Sequence, residues 1–203
     1  MYRPSLPEVL LLTPQYPPVD TPLSAFSLAI ASSLAERAHV TVVTTGQGRP
    51  EVGGIRVLGA YNPVYDHTNV LSWVLSMGRE VERQVATLYH EMGIIGPILV
   101  INWEFSQAAI SLSQAFGHRV FFVPYSFEAQ RVGLRSHLSI AIDAMEKYAV
   151  SQSSATVIFD PFLEALCLTM GAKQESLIMA DPSSTLTDPT WGENALSAVL
   201  GHA

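Results

Sequence analysis

Lysine is almost missing from this chain: Lys147 and Lys173 are the only two. Eleven basic residues face eighteen acids, leaving a formal charge of −7. No basic stripe exists, so the electrostatic term that draws a protein to a phosphate backbone is absent, and the sequence argues against nucleic acid as a partner. The same deficit disfavours tight, unaided binding of a nucleotide diphosphate, although backbone amides at a helix start can still contribute. Cys167 is the single cysteine, which excludes an internal disulfide and a thiolate metal cluster. It sits in the apolar run Leu166 to Met170 and reads as a small buried hydrophobe, not a nucleophile. The stretch from Met1 to Glu8 lacks the apolar core of a signal peptide. No segment reaches the roughly 20 apolar residues of a membrane span. A cytoplasmic location is the expectation. There is no GxSxG, no HExxH, no Walker lysine, and nothing like GxGxxG after the first apolar run, so the usual cues for those chemistries and for a dinucleotide are missing. His67 and His118 have no cysteine or histidine partner at metal-ligand spacing, and no metal or other cofactor is expected.

What is present is apolar. Hydrophobic residues make up 48% of the 203 and charged residues 14%, against about 25% charged in ordinary soluble domains. That composition implies a sizeable core with little charged surface, and excludes disorder. Either part of the surface is covered, by self-association or by a protein partner, or the chain is a low-charge monomer.

Short apolar runs alternate with helical periodicity. Val9 to Thr13 reads as a buried first strand ended by Pro14. Gln15 to Pro22 is too proline-rich to continue a ladder. Thr21 and Pro22 form an N-cap and N1 pair for a helix to about Arg37 with Leu23, Phe26, Ile30 and Leu34 on one side. Strands follow at His39 to Thr45 and, after the hairpin-like turn at Gly53-Gly54, at Ile55 to Leu58. Tyr61 to Asn69 reads as a loop and Leu71 to His90 as a long helix. Further strands are expected at 98–101, 119–123, 156–159 and 176–179, and further helices at 106–116, 139–151 and 161–170. Gly117 and Gly171 terminate two of these helices. The expected fold is α/β: a Rossmann-like, doubly wound, mostly parallel sheet with helices on both faces and the first strand central. Residues 1–184 form this domain, and 185–203 read as a C-terminal linker or tail.

In such sheets ligands bind beyond the carboxyl ends of the strands. Four polar or glycine-rich segments fall there: Gln15 to Thr21, Gly46 to Gly48, Asn102 to Glu104, and Tyr125 to Arg131. Asp20 and Thr21 lie where a loop enters a helix, a natural site for an anion or hydroxyl. Glu104 and Glu128 either accept hydrogen bonds from sugar or polyol hydroxyls or act as a base, or they are first-turn acids that stabilise helix N-termini. Trp103 and Tyr125 offer faces on which a sugar ring can stack, and Trp103 reads equally as core.

With these segments placed, the chain resembles the N-terminal, acceptor-side domain of GT-B glycosyltransferases, nearest to family 4 and the glycogen synthases. VLLLTPQYPP at 9–18 is similar to the family's first strand and Glu-Tyr-Pro-Pro loop. LAIASSLAERAHVTVVTT at 28–45 and VGGIRV at 52–57 follow its next helix and strands. INWEF at 101–105, VFFVPYSFEAQ at 120–130 and ATVIFDPFLEALCLTMGAKQESLIMADPSS at 155–184 extend the likeness over nearly the whole chain. The departures are specific. Val19, Asp20, Thr21 and Pro22 stand where the family has glycines whose amides close on donor phosphates, and an acid there repels a diphosphate. Tyr125 replaces a histidine, and Ala180-Asp181 replaces Asn-Gly. The donor-binding second domain with its Glu-x7-Glu motif does not occur in these 203 residues. The resemblance implies the acceptor-side half of a glycosyltransferase, inactive alone and completed by a partner chain or missing domain, with a sugar or sugar nucleotide bound in the complete assembly. The alternative it leaves open is a non-catalytic interaction or scaffold domain of that descent. It assigns no catalytic residue.

Overall fold

β-branched and aliphatic runs separated by helices assemble into an eight-stranded sheet in this computed structural model, which describes residues 6–61, 69–93, 95–180 and 199. The elements run β1 (Glu8–Leu12), α1 (Pro22–Ala35), β2 (His39–Thr45), β3 (Arg49–Val52), β4 (Ile55–Ala60), α2 (Val70–Met92), β5 (Ile98–Ile101), α3 (Ser106–Phe116), β6 (Val120–Val123), α4 (Glu128–Arg131), α5 (His137–Gln152), β7 (Ala155–Ile158), α6 (Pro161–Thr169) and β8 (Leu177–Met179). Most of the loop read at Tyr61 to Asn69, His67 within it, and all of the polar stretch and 185–203 tail except Ala180 and Val199 lie outside the described residues.

The strand order is β3-β4-β2-β1-β5-β6-β7-β8. Every pairing is parallel except the β3–β4 hairpin. The first strand is therefore internal, flanked by β2 and β5, as the sequence predicts. From β1 the chain winds one way to β4, then crosses by α2 to β5 and winds the other way. The reversal opens a crevice above the carboxyl ends of β1 and β5.

Alternation of side chains gives the sheet two buried faces. Val9, Leu11, Val40, Val42, Leu99, Phe121 and Val157 meet Phe26, Ile30 and Leu34 of α1, and Val199 joins this layer. Leu10, Leu12, Val43, Ile98, Val100 and Phe122 meet Met77, Val81 and Val85 of α2, with residues of α3, α5 and α6. Helices thus cover both faces.

Local chemistry sets the helix ends. The Thr21 hydroxyl accepts the Ser24 N–H at 3.1 Å, and Pro22 opens α1. Asn69 caps α2 and Asp160 caps α6, which begins with Pro161. Gly93 and Gly117 close α2 and α3 with left-handed φ angles of 75°, a conformation that costs glycine little. Two elements differ from the sequence reading. β3 is exposed along its length and contains Pro50, so it carries no apolar signal, and backbone pairing to β4 defines it. α4 is a single turn inside the segment read only as a loop.

A candidate ligand crevice at the strand ends

The loop after β1 is braced from several sides. Thr13, fully buried, shares a 2.8 Å hydrogen bond with Ser27 of α1. The Thr45 hydroxyl donates to the Pro14 carbonyl at 2.8 Å, and the Arg49 guanidinium donates to the Pro17 carbonyl. Thr21 donates to the Gln15 side-chain oxygen while it caps α1. Its hydroxyl is thus already engaged on both sides. Asp20 beside it is exposed. Tyr16 points inward, and burial pushes its phenol above the ordinary range.

The Gly46 to Gly48 turn folds over β4. A Cβ on Gly59 would come 2.1 Å from the Gly46 carbonyl oxygen, so this segment seals a strand edge by close backbone approach.

After β5 the chain turns at Asn102, whose φ of 65° is left-handed, a region asparagine tolerates better than most residues. Its amide donates to both Glu104 carboxylate oxygens, at 2.9 and 3.2 Å. Trp103, only 3% exposed, packs with Val74 of α2 and Ile142 of α5. Its ring is a wall of the core, not an open platform. Glu104 is half-buried and lines a groove between α2 and α3 with Gly78, Glu82, Gln107 and Ser111. Burial raises its pKa, offset in part by its own N–H, by Asn102 and by Arg131.

The loop after β6 bears Tyr125, which is 42% exposed. Its ring lies 5.3 Å from that of Phe26, which meets Phe159 edge-on at 5.5 Å. Tyr125 therefore stands at the mouth of the crevice on a fixed aromatic base. Glu128 is nearly buried, and its carboxylate holds Arg131 at 2.8 Å. Of the two readings of this acid, the structure shows it occupied by an internal ion pair at the start of α4.

The sequence-derived residues fall into two groups. Thr21 and Tyr125 are linked through α1, with Asp20 adjacent. Glu104 and Glu128 are joined through Arg131, which feels both. Sequence reasoning gave no role to Arg131 and did not find Glu146. Glu146 is 1% exposed on α5, and its two oxygens accept the Glu128 backbone N–H at 2.9 and 3.0 Å. A signal existed: Ile142, Glu146, Ala149 and Val150 share the buried face of α5, so an acid occupies a core position. Val19 in the segment after β1, Val132 and Leu134 between α4 and α5, Leu138 at the start of α5 and Phe162 at the start of α6 are exposed, the last at 81%. Among the described residues no group of His, Cys, Asp or Glu side chains is arranged to hold a metal ion, and no helix is long and apolar enough to cross a membrane.

No family model and no curated protein matches this chain. Solved structures do. Sucrose-phosphate synthase from Thermosynechococcus elongatus matches with a TM-score of 0.68 and 12% identity, over 86% of this chain and 47% of the synthase. A second structure of that synthase matches with a TM-score of 0.66 and 12% identity, over 96% of each chain. UGT89C1 of Arabidopsis thaliana, complexed with UDP-L-rhamnose, matches with a TM-score of 0.59 and 15% identity, over 91% of this chain and 50% of that one. The chain thus spans about half the length of the synthase and of UGT89C1 as they occur in the first and third of these structures. At such identities the likeness is one of fold.

Proposed function

We propose that this chain is the acceptor-side lobe of a glycosyltransferase-like protein, related to family 4 and the glycogen synthases, and that it works against a second lobe supplied by another chain or another part of a longer one. The observation that carries the reading is the crest of the sheet. Val19 follows β1, Tyr125 follows β6 and Phe162 follows β7, each exposed beyond the carboxyl end of a strand, with exposed Val132 and Leu134 after α4, and chains of the same fold extend to twice this length. Apolar surface of that kind marks a face meant to be covered. In this reading Asp20, Thr21, Glu104 and Tyr125 line the acceptor side and meet sugar hydroxyls and a ring face. Trp103 and Glu128 support them from within. The lobe alone does not transfer a sugar, because the donor-binding wall and its preorganised electrostatics belong to the other lobe.

A second reading, an interaction domain that has kept the fold without the chemistry, draws on Glu128 being spent on Arg131 and on Asp20 and Pro22 standing where glycine amides would hold a phosphate. One experiment separates the two. Backbone NMR shifts are followed while the chain is titrated with simple hexoses and with uridine, adenosine and guanosine diphosphate sugars. The acceptor-lobe reading expects weak, saturable shifts at Thr21, Glu104 and Tyr125 with a sugar, and no sugar nucleotide bound at low micromolar concentration. No response to any sugar favours the interaction domain. Low micromolar binding of a sugar nucleotide overturns both, since it requires a self-sufficient donor site.

A further inference from the structure

Two rows of side chains frame a groove between α2 and α3. Val74, Gly78 and Glu82 recur every fourth residue along α2, and Glu104, Gln107 and Ser111 face them from the start of α3. The groove encloses about 100 Å³, room for an amino group and its adjoining carbons and not for a nucleotide. Gly78 gives it depth. Glycine in the middle of a 23-residue helix lowers helix stability relative to alanine. Packing does not demand it, since an added Cβ would meet only the Ala108 methyl group, at an ordinary 3.9 Å. What the missing side chain leaves is open space in the groove.

The charges lining it are unevenly matched. Glu82 is paired at 2.9 Å with Arg79, whose side chain is 83% exposed. Glu104 has no cation within hydrogen-bond distance among the described residues. Arg131 acts on it only through its field and is itself held by Glu128 at 2.8 Å. The Glu104 carboxylate is nevertheless fixed in place, because both oxygens accept from the Asn102 amide at 2.9 and 3.2 Å. Among the described residues Asn102 alone, glycines aside, has a positive φ, and backbone strain of that kind concentrates at ligand sites. A carboxylate held by two such bonds keeps lone pairs open. Gln107 and Ser111, both exposed, add a carbonyl and a hydroxyl that can also accept.

We propose that this groove binds the primary ammonium group of a small polar ligand, with the Glu104 carboxylate as its counter-charge and Gln107 and Ser111 as further acceptors. An ammonium group brings three donors and the missing positive charge. Its hydrogen bonds to a carboxylate are charge-assisted, and it neutralises a charge that is costly to leave half-buried and unpaired. Val74 and the bare backbone at Gly78 offer an apolar flank for the attached carbons. A hydroxyl in the same place makes the weaker bond and leaves the charge unanswered. In the acceptor-lobe reading the ligand is an amino-bearing acceptor. The inference rests on that reading for this assignment alone, because the preference for an amine follows from the lining of the groove.

NMR titration of the full chain with glucosamine, glucose and N-acetylglucosamine tests it, with the Gln107, Ala108 and Ser111 amides as reporters and at a pH where the free amine is protonated. Glucosamine should give saturable shifts at these amides, with an affinity about tenfold or more above that of either neutral sugar. Equal affinities, or shifts only elsewhere, overturn the proposal on the unmodified chain, whether or not any variant folds. Ethylamine, which carries the ammonium without the sugar, should compete with glucosamine, and failure to compete refutes ammonium recognition. Glu104→Gln, similar in shape but uncharged, should weaken glucosamine about tenfold and glucose little; an unchanged glucosamine affinity also overturns the proposal. Gly78→Leu should fill the groove and block glucosamine there. Thr21 and Tyr125 report separately on the acceptor-lobe reading: silence at both with a full response in the groove refutes that reading and leaves the amine site standing.

Discussion

Gly96 lies against the start of β1 so closely that a Cβ would come 1.8 Å from the Glu8 carbonyl oxygen, and its φ is +67°. Backbone, not a flexible side chain, fills the space where a methyl group would go. Gly96→Ala should therefore destabilise the fold by about 3–5 kcal/mol, the sum of left-handed strain and overpacking. Gly93 is the control: its φ is +75° but nothing lies within 4 Å of its Cβ position, so Gly93→Ala should cost about 1 kcal/mol. Urea unfolding of both variants measures the difference, and equal losses would contradict the close approach.

Thr21 caps α1 by accepting the Ser24 N–H at 3.1 Å. Thr21→Ala should lower stability by about 1 kcal/mol, and Thr21→Ser should restore most of it, because either hydroxyl can accept that bond. Thermal unfolding of the pair separates this folding role from any effect on sugar binding, which the NMR titration reads independently.

Cys167 is fully buried, and desolvation pushes its thiol up to about 12. The reactive thiolate is then nearly absent at neutral pH. A thiol-labelling reagent should modify native protein only as fast as the protein opens, and at once in denaturant. Rapid labelling of the folded chain, with its circular dichroism unchanged, would refute the burial.

The stability carried by three acids should fall as pH rises towards neutrality. Glu146, Glu8 and Glu104 all have raised folded pKa values, chiefly through burial. For each, the contribution is fully present below the ordinary carboxylate range and is lost as pH rises through the folded value, at up to about 1.4 kcal/mol per pH unit for one group. The His118 pKa is lowered by burial, so its contribution runs the opposite way and is lost as pH falls. Comparing Glu146→Gln with the unmodified chain isolates one group: the variant should gain relative stability between about pH 5 and 7 and hold it above. A difference in urea stability that does not change with pH would count against a buried, proton-holding Glu146.

The core was legible because strands buried on both faces announce themselves. Val9 to Leu12 and Ile98 to Ile101 are unbroken aliphatic runs, and Ser106 to Phe116 is bounded by a glycine that only a helix end explains. β3 was harder to read because its residues face solvent and its pairing is all backbone. The position of Trp103 beside a strand was evident, but its direction depends on the turn at Asn102 and on Val74 and Ile142, which are distant in sequence. The partner of Glu146 is a backbone N–H eighteen residues earlier, so periodicity marked an acid on a buried face without saying what it touches. Local pattern carries the sheet, whereas the site is made of contacts between elements.

Val199 is 1% exposed in the same layer as Val9 and Leu11. That layer joins the first strand to a residue far along the sequence, so its closure is a long-range contact and carries the slow search that such contacts impose. The α1 face lacks one of its buried members until residue 199 has left the ribosome. Nascent or interrupted chains therefore present this apolar face to whatever is nearby, and chaperone capture or aggregation should begin there.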